Sequence, residues 1–402
     1  MNIVAAQRIT LAHPIKGGME VQADTLYRGF VARGHHVEII TTSHPTSQRE
    51  TEEPHLCTHY LPHSDYRRYT SAWWRASYEK LEELVHCGRA DVLLSQSAGA
   101  LGYLRRAHRE LRLPAVVVLH ASFSEGLHSQ WRAAHTRRGL LRFAYTLGQL
   151  PLHYVLWRRA AAVAQFVVTT DEGSRDARAT LGVDPARLRV IPNGVDTRHF
   201  TPSAERRAAT RMKLGLAPEA PVAIAVTRLV PEKGVQVALR ALATVPALTL
   251  LVAGDGPYAQ TLRRQARKLG VGARVHFLGF VPREVLPHYL AAADLFVMPT
   301  LCHEGFPLSL AEAMASQLAP VVSNLGGIPT AVSSERTGLL VPPGDPEALG
   351  RALSRLAQDP ERRAELGAAA RAEAQARFTA DRMVDDTLEA LTAAMDNRGR
   401  WS

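Results

Sequence analysis

Short runs of aliphatic and β-branched residues alternate along this chain with longer stretches whose apolar positions recur every three to four residues. The first run, "NIVAA" at residues 2–6, leads through a loop ending in Gly17 and Gly18 into "MEVQADTLYRGFVARG" and then "HVEIITT". That succession predicts a strand, a helix and a second strand, the βαβ unit of a parallel sheet. Further runs follow at "DVLLSQ", "AVVVLH" and "QFVVTT", separated by helical segments. Strands that are apolar on both faces belong to sheets covered by helices on both sides.

The alternation pauses at "LRVIPNGVDTRHFTP", where Pro, Asn and Gly cluster, as expected of a linker. It then restarts with "VAIAVTRL", "LTLLVAGDG", "RVHFLGF", "DLFVMPT", "APVVSN" and "TGLLVPP". Two doubly wound α/β domains are therefore predicted, over residues 1–195 and 196–380. Such sheets bind ligands at the carboxyl ends of their strands, so the expected site is a cleft onto which both domains face. The stretch "ERRAELGAAARAEAQARFTADRMVDDTLEALTAAM" has helical spacing and predicts terminal helices, with residues 381–402 crossing back to the first domain.

Composition fits that division. A chain of 402 residues, 46% of them hydrophobic, has material for two cores. No apolar run is long enough for a membrane span and no leader pattern opens the chain, so a cytoplasmic protein is expected. The three cysteines, Cys57, Cys87 and Cys302, are odd in number and lack a C-x-x-C pair, which suggests reduced thiols and neither a disulfide framework nor a zinc site.

The net charge of +10 is uneven: residues 1–190 hold 24 Lys/Arg against 17 Asp/Glu. Between Gly126 and Thr170 there is no acid, while Arg132, Arg137, Arg138, Arg142, Arg158 and Arg159 interleave with Trp131, Phe143, Tyr145, Tyr154 and Trp157. Residues 131–159 thus suit peripheral contact with an anionic membrane, such as the inner face of the plasma membrane. A solvated basic helix face is the plain alternative. Nucleic acid is not expected as a partner, because no recognition motif accompanies the charge.

Four segments offer chemistry. The stretch "LCHEGFPLSLAEAMA", residues 301–315, places Glu304 and Glu312 in an otherwise apolar setting. Pro307 suits the first position of a helix, so Glu304 is expected in the preceding loop and Glu312 inside the helix. Their eight-residue separation would span roughly 12 Å if helical, the reach of a diphosphate with a sugar ring on either end. The amides near Gly305, Phe306 and Leu308, at the positive end of that helix, favour an anion.

"VTRLVPEKG" carries Arg228 and Lys233 on a strand-to-helix loop. Together they can neutralise a diphosphate, the guanidinium by paired hydrogen bonds and the ammonium as a point charge; a solvated surface pair is the alternative. The Gly17-Gly18 loop lets amides approach a phosphate, yet "KGGME" is not G-x-G-x-x-G, and Glu38 does not restore that fingerprint. His120 ends a buried-type strand, where it either faces the cleft or sits hydrogen-bonded in the core.

In their order these segments resemble glycosyltransferase family 4, of the GT-B fold. The resemblance runs through "GGMEVQADTLYRGFVARGHHVEIITT", "LRVIPNGVDTRHFTP", "VTRLVPEKG", "GDGP", "FLGFVPREVLPHYLAAADLFVMPT", "EGFPLSLAEAMA" and "GLLVPPGDPEAL". It implies two Rossmann-like domains facing a central cleft, the first binding an acceptor and the second a nucleotide-sugar donor, with transfer that retains anomeric configuration. By matching position, Glu304 resembles the residue on the donor sugar's hydroxyls and Glu312 the one on the nucleotide ribose. Arg228 and Lys233 match the pair on the diphosphate, Gly18 the glycine against the donor phosphate, and His120 a histidine near the transferred sugar. Gly279 and Val281 fall where the base-contacting loop lies.

Front-face substitution is implied, in which the departing phosphate takes the acceptor's proton and no protein nucleophile is needed. No cofactor or metal is expected, since the chain has no D-x-D pair and Arg228 with Lys233 can supply the positive charge. Cys302, His303 and Glu304 are adjacent and cannot all face one ion. Two details depart from the family: Thr330 follows "GGIP" where relatives often carry an acid, and "VVTTDEGSRD" has Thr where serine is usual. The expectation is a hexosyltransferase with UDP-sugars as the leading donors, GDP-mannose remaining open, and a glycan, glycolipid or small metabolite as acceptor. A sugar nucleotide epimerase of the same architecture and a non-enzymatic membrane-associated binding protein are the competing readings; four matched charged residues argue against the latter.

Overall fold

The computed structural model describes the chain except residues 15–16, 63, 67–68, 107–110, 121–153 and 398–402. The chain divides into two compact units, Met1–Asn193 with Ala380–Ser402, and Gly194–Thr379.

In the first unit the apolar runs form β1 (Asn2–Ala6), β2 (His36–Thr42), β3 (Glu50–Glu53), β4 (Leu56–Leu61), β5 (Val92–Gln96), β6 (Ala115–Leu119), β7 (Gln165–Val168) and β8 (Leu188–Val190). They make one sheet in the order β3-β4-β2-β1-β5-β6-β7-β8. Its pairings are parallel, with Ile3 opposite both Val37 and Val92, except for the antiparallel β3–β4 pair. The chain grows outward from β1 through β2 to β4 and then returns to β5 on the other side of β1. The strand order therefore reverses between β1 and β5, where such sheets leave a crevice.

One face of this sheet is covered by the helices Gly18–Ala32 and Ala380–Asp396, which bury Leu26, Phe30, Met383, Val384 and Leu391 against Ile3 and Val116. The other face buries Trp73, Leu81, Leu84 and Phe166. Trp157 belongs to this second cluster and is 7% exposed. Its place in the membrane-binding expectation is corrected accordingly: helical spacing turns it inward while Tyr154 and Val155 stay exposed. Arg158 lies 5.8 Å from the Tyr154 ring centre. Trp131, Arg132, Arg137, Arg138, Arg142, Phe143 and Tyr145 lie outside the described residues. Among the described residues, no helix is long and apolar enough to cross a membrane.

The second unit contains β9 (Val222–Val226), β10 (Thr249–Ala253), β11 (Val275–Gly279), β12 (Leu295–Met298), β13 (Ala319–Ser323) and β14 (Leu339–Val341). Their order is β11-β10-β9-β12-β13-β14, parallel throughout. Here the order reverses between β9 and β12. A buried ionic clamp holds the start of that pair: Arg211, 2% exposed, bonds Asp294 Oδ2 at 2.8 Å, and Arg207 bonds Oδ1 at 2.7 Å. Asp294 Oδ2 also accepts from the Val222 amide at 2.8 Å, so one carboxylate ties β12 to β9.

Candidate functional site

The loops leaving β9 and β12 meet at the reversal point of the second sheet. The β9 loop lies along the "GDGP" segment, with the Thr227 amide donating to Ala253 O at 3.0 Å and the Leu229 amide to Asp255 O at 2.9 Å. The β12 loop is bonded to it through the Leu301 amide, which donates to Glu232 O at 2.8 Å. Gly234 has φ +71°, and a Cβ there would overlap the Pro299 carbonyl oxygen. Glycine is required at this crossing on both counts.

That close approach brings together two residues far apart in sequence. Lys233 Nζ forms an ion pair with Glu304 Oε1, and Thr300 Oγ1 lies 3.3 Å from the same oxygen. Burial works to lower the Lys233 pKa, but Glu304, Cys302 and Glu232 outweigh it and hold the ammonium above the usual lysine value. Arg228, five residues earlier, is exposed and makes no ion pair or side-chain hydrogen bond among the described residues.

Glu304 is also fixed from behind. Gly326 has φ +62°, and a Cβ there would lie 2.7 Å from Glu304 O and 2.9 Å from its nitrogen. The Gly327 amide donates to Glu304 O at 2.8 Å. The two glycines of "GGIP" thus brace the backbone of the carboxylate, and Thr330 follows in the short helix Ile328–Ala331.

The helix after Glu304 begins one residue later than expected. Pro307 is its N-cap, with ψ 120°, and the helix runs Leu308–Ala315. The Pro307 carbonyl already accepts from the Leu310 and Ala311 amides at 3.2 and 3.3 Å, while its extended ψ keeps the residue itself outside the helix. Gly305 lies half-buried in the turn before it, and Phe306 packs 4.7 Å from Phe378, ring centre to ring centre.

Glu312, on the second turn, is buried and paired with Arg283 at 3.1 Å. Burial raises its carboxyl pKa and Arg283 draws it back down. The Arg283 guanidinium also lies 5.4 Å from the Phe200 ring centre. Sequence reasoning missed Arg283, although it stands only two residues past Val281. In the same segment the Gly279 carbonyl accepts from the Gly254 amide at 2.7 Å, Val281 is half-buried, and Phe280 between them is 74% exposed.

The remaining candidates belong to the first unit. The Gly17 amide donates to Glu20 Oε2 at 2.7 Å, so a group expected to face a phosphate is satisfied by its own helix, which starts at Gly18. His120 Nε2 lies 2.6 Å from Gln96 Oε1. An amide oxygen only accepts, so Nε2 carries the proton and Nδ1 holds a lone pair when the ring is neutral. Burial lowers the His120 pKa to about 4. Tyr27 Oη donates to Gln7 Oε1 at 2.9 Å and Tyr69 Oη to Gln96 O at 3.4 Å, completing a hydroxyl and amide network at the carboxyl ends of β1 and β5. Cys302 Sγ is 3.4 Å from Thr300 Oγ1 and 3.8 Å from Glu304 Oε1, and burial raises its pKa.

Two family models match the chain, Glycosyltransferase Family 4 over residues 16–199 and Glycosyl transferases group 1 over residues 206–373. The GDP-mannose-dependent alpha-(1-6)-phosphatidylinositol monomannoside mannosyltransferase of Mycolicibacterium smegmatis is 36% identical over 232 residues, 55% of this chain and 60% of that protein. The D-inositol 3-phosphate glycosyltransferase of Jonesia denitrificans is 34% identical over 239 residues, 56% of either chain. The match therefore spans a little over half the length of these curated relatives. A sucrose-phosphate synthase from Thermosynechococcus elongatus superposes with a TM-score of 0.80 at 23% identity, covering 98% of this chain and 99% of that one. That likeness shows the fold.

Proposed function

This chain belongs to glycosyltransferase family 4 and has the GT-B fold, and from that membership we propose that it moves a hexosyl unit from a nucleotide sugar to an acceptor hydroxyl with retention. The carrying observation is the Lys233–Glu304 ion pair at the reversal point of the second sheet, with Arg228 on the same loop. Departure of a nucleoside diphosphate builds negative charge on its phosphate and positive charge on the sugar ring. Fixed cations aimed at that phosphate stabilise the transition state more than the ground state. A bound donor would take Lys233 and Arg228 on its phosphates and Glu304 on its sugar hydroxyls, replacing one internal ion pair by several charge-assisted hydrogen bonds.

In this reading Glu312 and Arg283 meet the nucleoside, with Gly279, Val281 and the exposed Phe280 ring beside its base. Gly18 and His120, in the first unit, serve the phosphate and the transferred sugar. The acceptor's proton passes to the departing phosphate, so neither a protein base nor a metal takes part in the transfer. The first unit receives the acceptor, and the acid-free, arginine-rich composition of residues 131–159 favours contact with an anionic membrane. The names of the relatives move the leading donor from UDP-sugars, favoured by sequence alone, to GDP-mannose, and they make inositol-bearing molecules the first acceptors to try.

One panel tests this: GDP-, UDP-, ADP- and TDP-sugars, each with and without inositol, inositol phosphate or phosphatidylinositol mannoside, and without added Mg2+ or Mn2+. Transfer with retained configuration, read by NMR of the product, is the expected result. A new epimer of the donor in the absence of any acceptor would instead establish an epimerase. No turnover with any pair would defeat the proposal.

A further inference from the structure

The first sheet carries a second cluster of chemistry that the transfer reaction does not use. Cys57 and His59 are two apart on β4, so their side chains share one face of the sheet. Glu38 on β2 stands opposite Cys57, and Glu50 on β3 stands opposite His59. The register of three strands thus gathers a thiol, an imidazole and two carboxylates. Ligand atoms of Glu38, Cys57 and His59 lie within 4.8 Å of one another, and all three residues are buried. His59 Nε2 is 2.8 Å from Glu38 Oε2 and His59 Nδ1 is 3.0 Å from Glu50 Oε1, while Cys57 Sγ is 2.8 Å from that same Glu50 oxygen. Among the described residues this is the one grouping of three or more His, Cys, Asp or Glu side chains with metal-binding spacing.

We propose that Cys57, His59 and Glu38 form a site for a divalent cation of the zinc type that ties β4 to β2, with Glu50 on the edge strand β3 orienting the His59 ring through Nδ1. The Cys57 thiolate, His59 Nε2 and one Glu38 oxygen make a three-ligand set that zinc accepts, with solvent as the fourth partner in tetrahedral geometry. The mixed sulfur, nitrogen and oxygen donors disfavour magnesium and calcium, which take oxygen alone.

Charge balance agrees. Two carboxylates and a thiolate carry three negative charges and Arg89 one positive charge, so a divalent ion brings the cluster to neutrality. Arg89 Nε bonds Glu38 Oε1 at 2.7 Å, leaving Oε2 for the metal and orienting the carboxylate from outside. The Glu50 side chain is 51% exposed and supplies the entry path. On binding, the Cys57 S–H bond breaks, its electron pair forms the S–metal bond and the proton leaves to solvent; no oxidant or reductant is involved. The pattern is hard to see in sequence because its three ligands and the carboxylate behind them come from three strands.

The test uses the full chain, dialysed against chelator and then titrated with Zn2+ in competition with a chromophoric chelator. One ion per chain is expected, and Cys57→Ser and His59→Gln should each weaken binding by at least about tenfold, whereas Cys87→Ser should leave it unchanged. Independently of any variant, Co2+ added to the wild-type chain should give the near-ultraviolet sulfur-to-cobalt absorption of a thiolate ligand. Absence of that band, less than one ion bound per chain, or equal affinity in the Cys57→Ser and Cys87→Ser variants would each overturn the proposal.

Discussion

The two sheets reverse strand order in the same way and equip the reversal point with opposite chemistry. Between β9 and β12 the loops present Lys233, Glu304 and Arg228, with the first two paired. Between β1 and β5 they present Gln7, Gln96 and, from the next strand, His120, held by amide and hydroxyl hydrogen bonds. Topology makes the crevice, and residue type decides what it can hold. Charged loops suit a diphosphate whose charge grows during reaction; a polar network with a neutral imidazole suits sugar hydroxyls, which both donate and accept. Glu20 and Arg8 stand near this second network, but the Glu20 carboxylate is spent on the Gly17 amide.

The contrast can be broken most severely at the clamp beneath the charged crevice. Replacing Asp294 by Ala should cost about 3–5 kcal/mol, because it strands the buried Arg211 guanidinium. Denaturant melts followed by hydrogen exchange should show the loss confined to residues 194–379, and an even loss over both units would mean that the clamp is not local. Next in size, Lys233→Ala and Glu304→Ala should each lower turnover roughly 100- to 1000-fold while circular dichroism shows the fold intact. Near wild-type turnover in either would remove the charged crevice from the chemistry.

Phe280→Ala should raise the donor KM by about 2- to 10-fold with little change in kcat, as expected of an aromatic contact worth about 0.5–1.5 kcal/mol. A purely kcat effect would place the ring elsewhere in the cycle.

The smallest expected effect belongs to the neutral network: His120→Gln should slow transfer by only about 2- to 10-fold, the weight of one ordinary hydrogen bond. A loss as large as that of Lys233→Ala would erase the distinction between the two crevices. The protonation state of His120 has its own signature. Its folded pKa lies near 4 against the usual 6.5, so between those values the unfolded chain binds more protons. The fold therefore loses stability as pH falls through that window and keeps it above pH 6.5. NMR titration of the ring should find its midpoint near 4, and a midpoint near 6.5 would show an unburied histidine.

Much of the fold was legible because strands buried on both faces read as unbroken apolar runs, and the helices between them as 3.6-residue periodicity. Lys233 and Glu304 were legible as residues of the right type on loops after strands. Their contact was not, since it spans 71 positions and depends on a backbone crossing that only Gly234 permits. Arg283 escaped notice because an Arg in a loop is usually solvated; only the burial of Glu312 beside it reveals its use. Trp157 misled for the reverse reason: an aromatic among arginines looks interfacial until its helix is packed.

By itself, then, the sequence determined the two α/β units, the order of their motifs and the family, because local periodicity and residue type survive without knowledge of partners. Tertiary structure alone decided which charges neutralise which: Lys233 with Glu304, Arg283 with Glu312, Asp294 with two arginines, and Glu38 with Arg89. Electrostatic partners are chosen by distance in space, and strand order, unlike strand pattern, is not written in any short window of the chain.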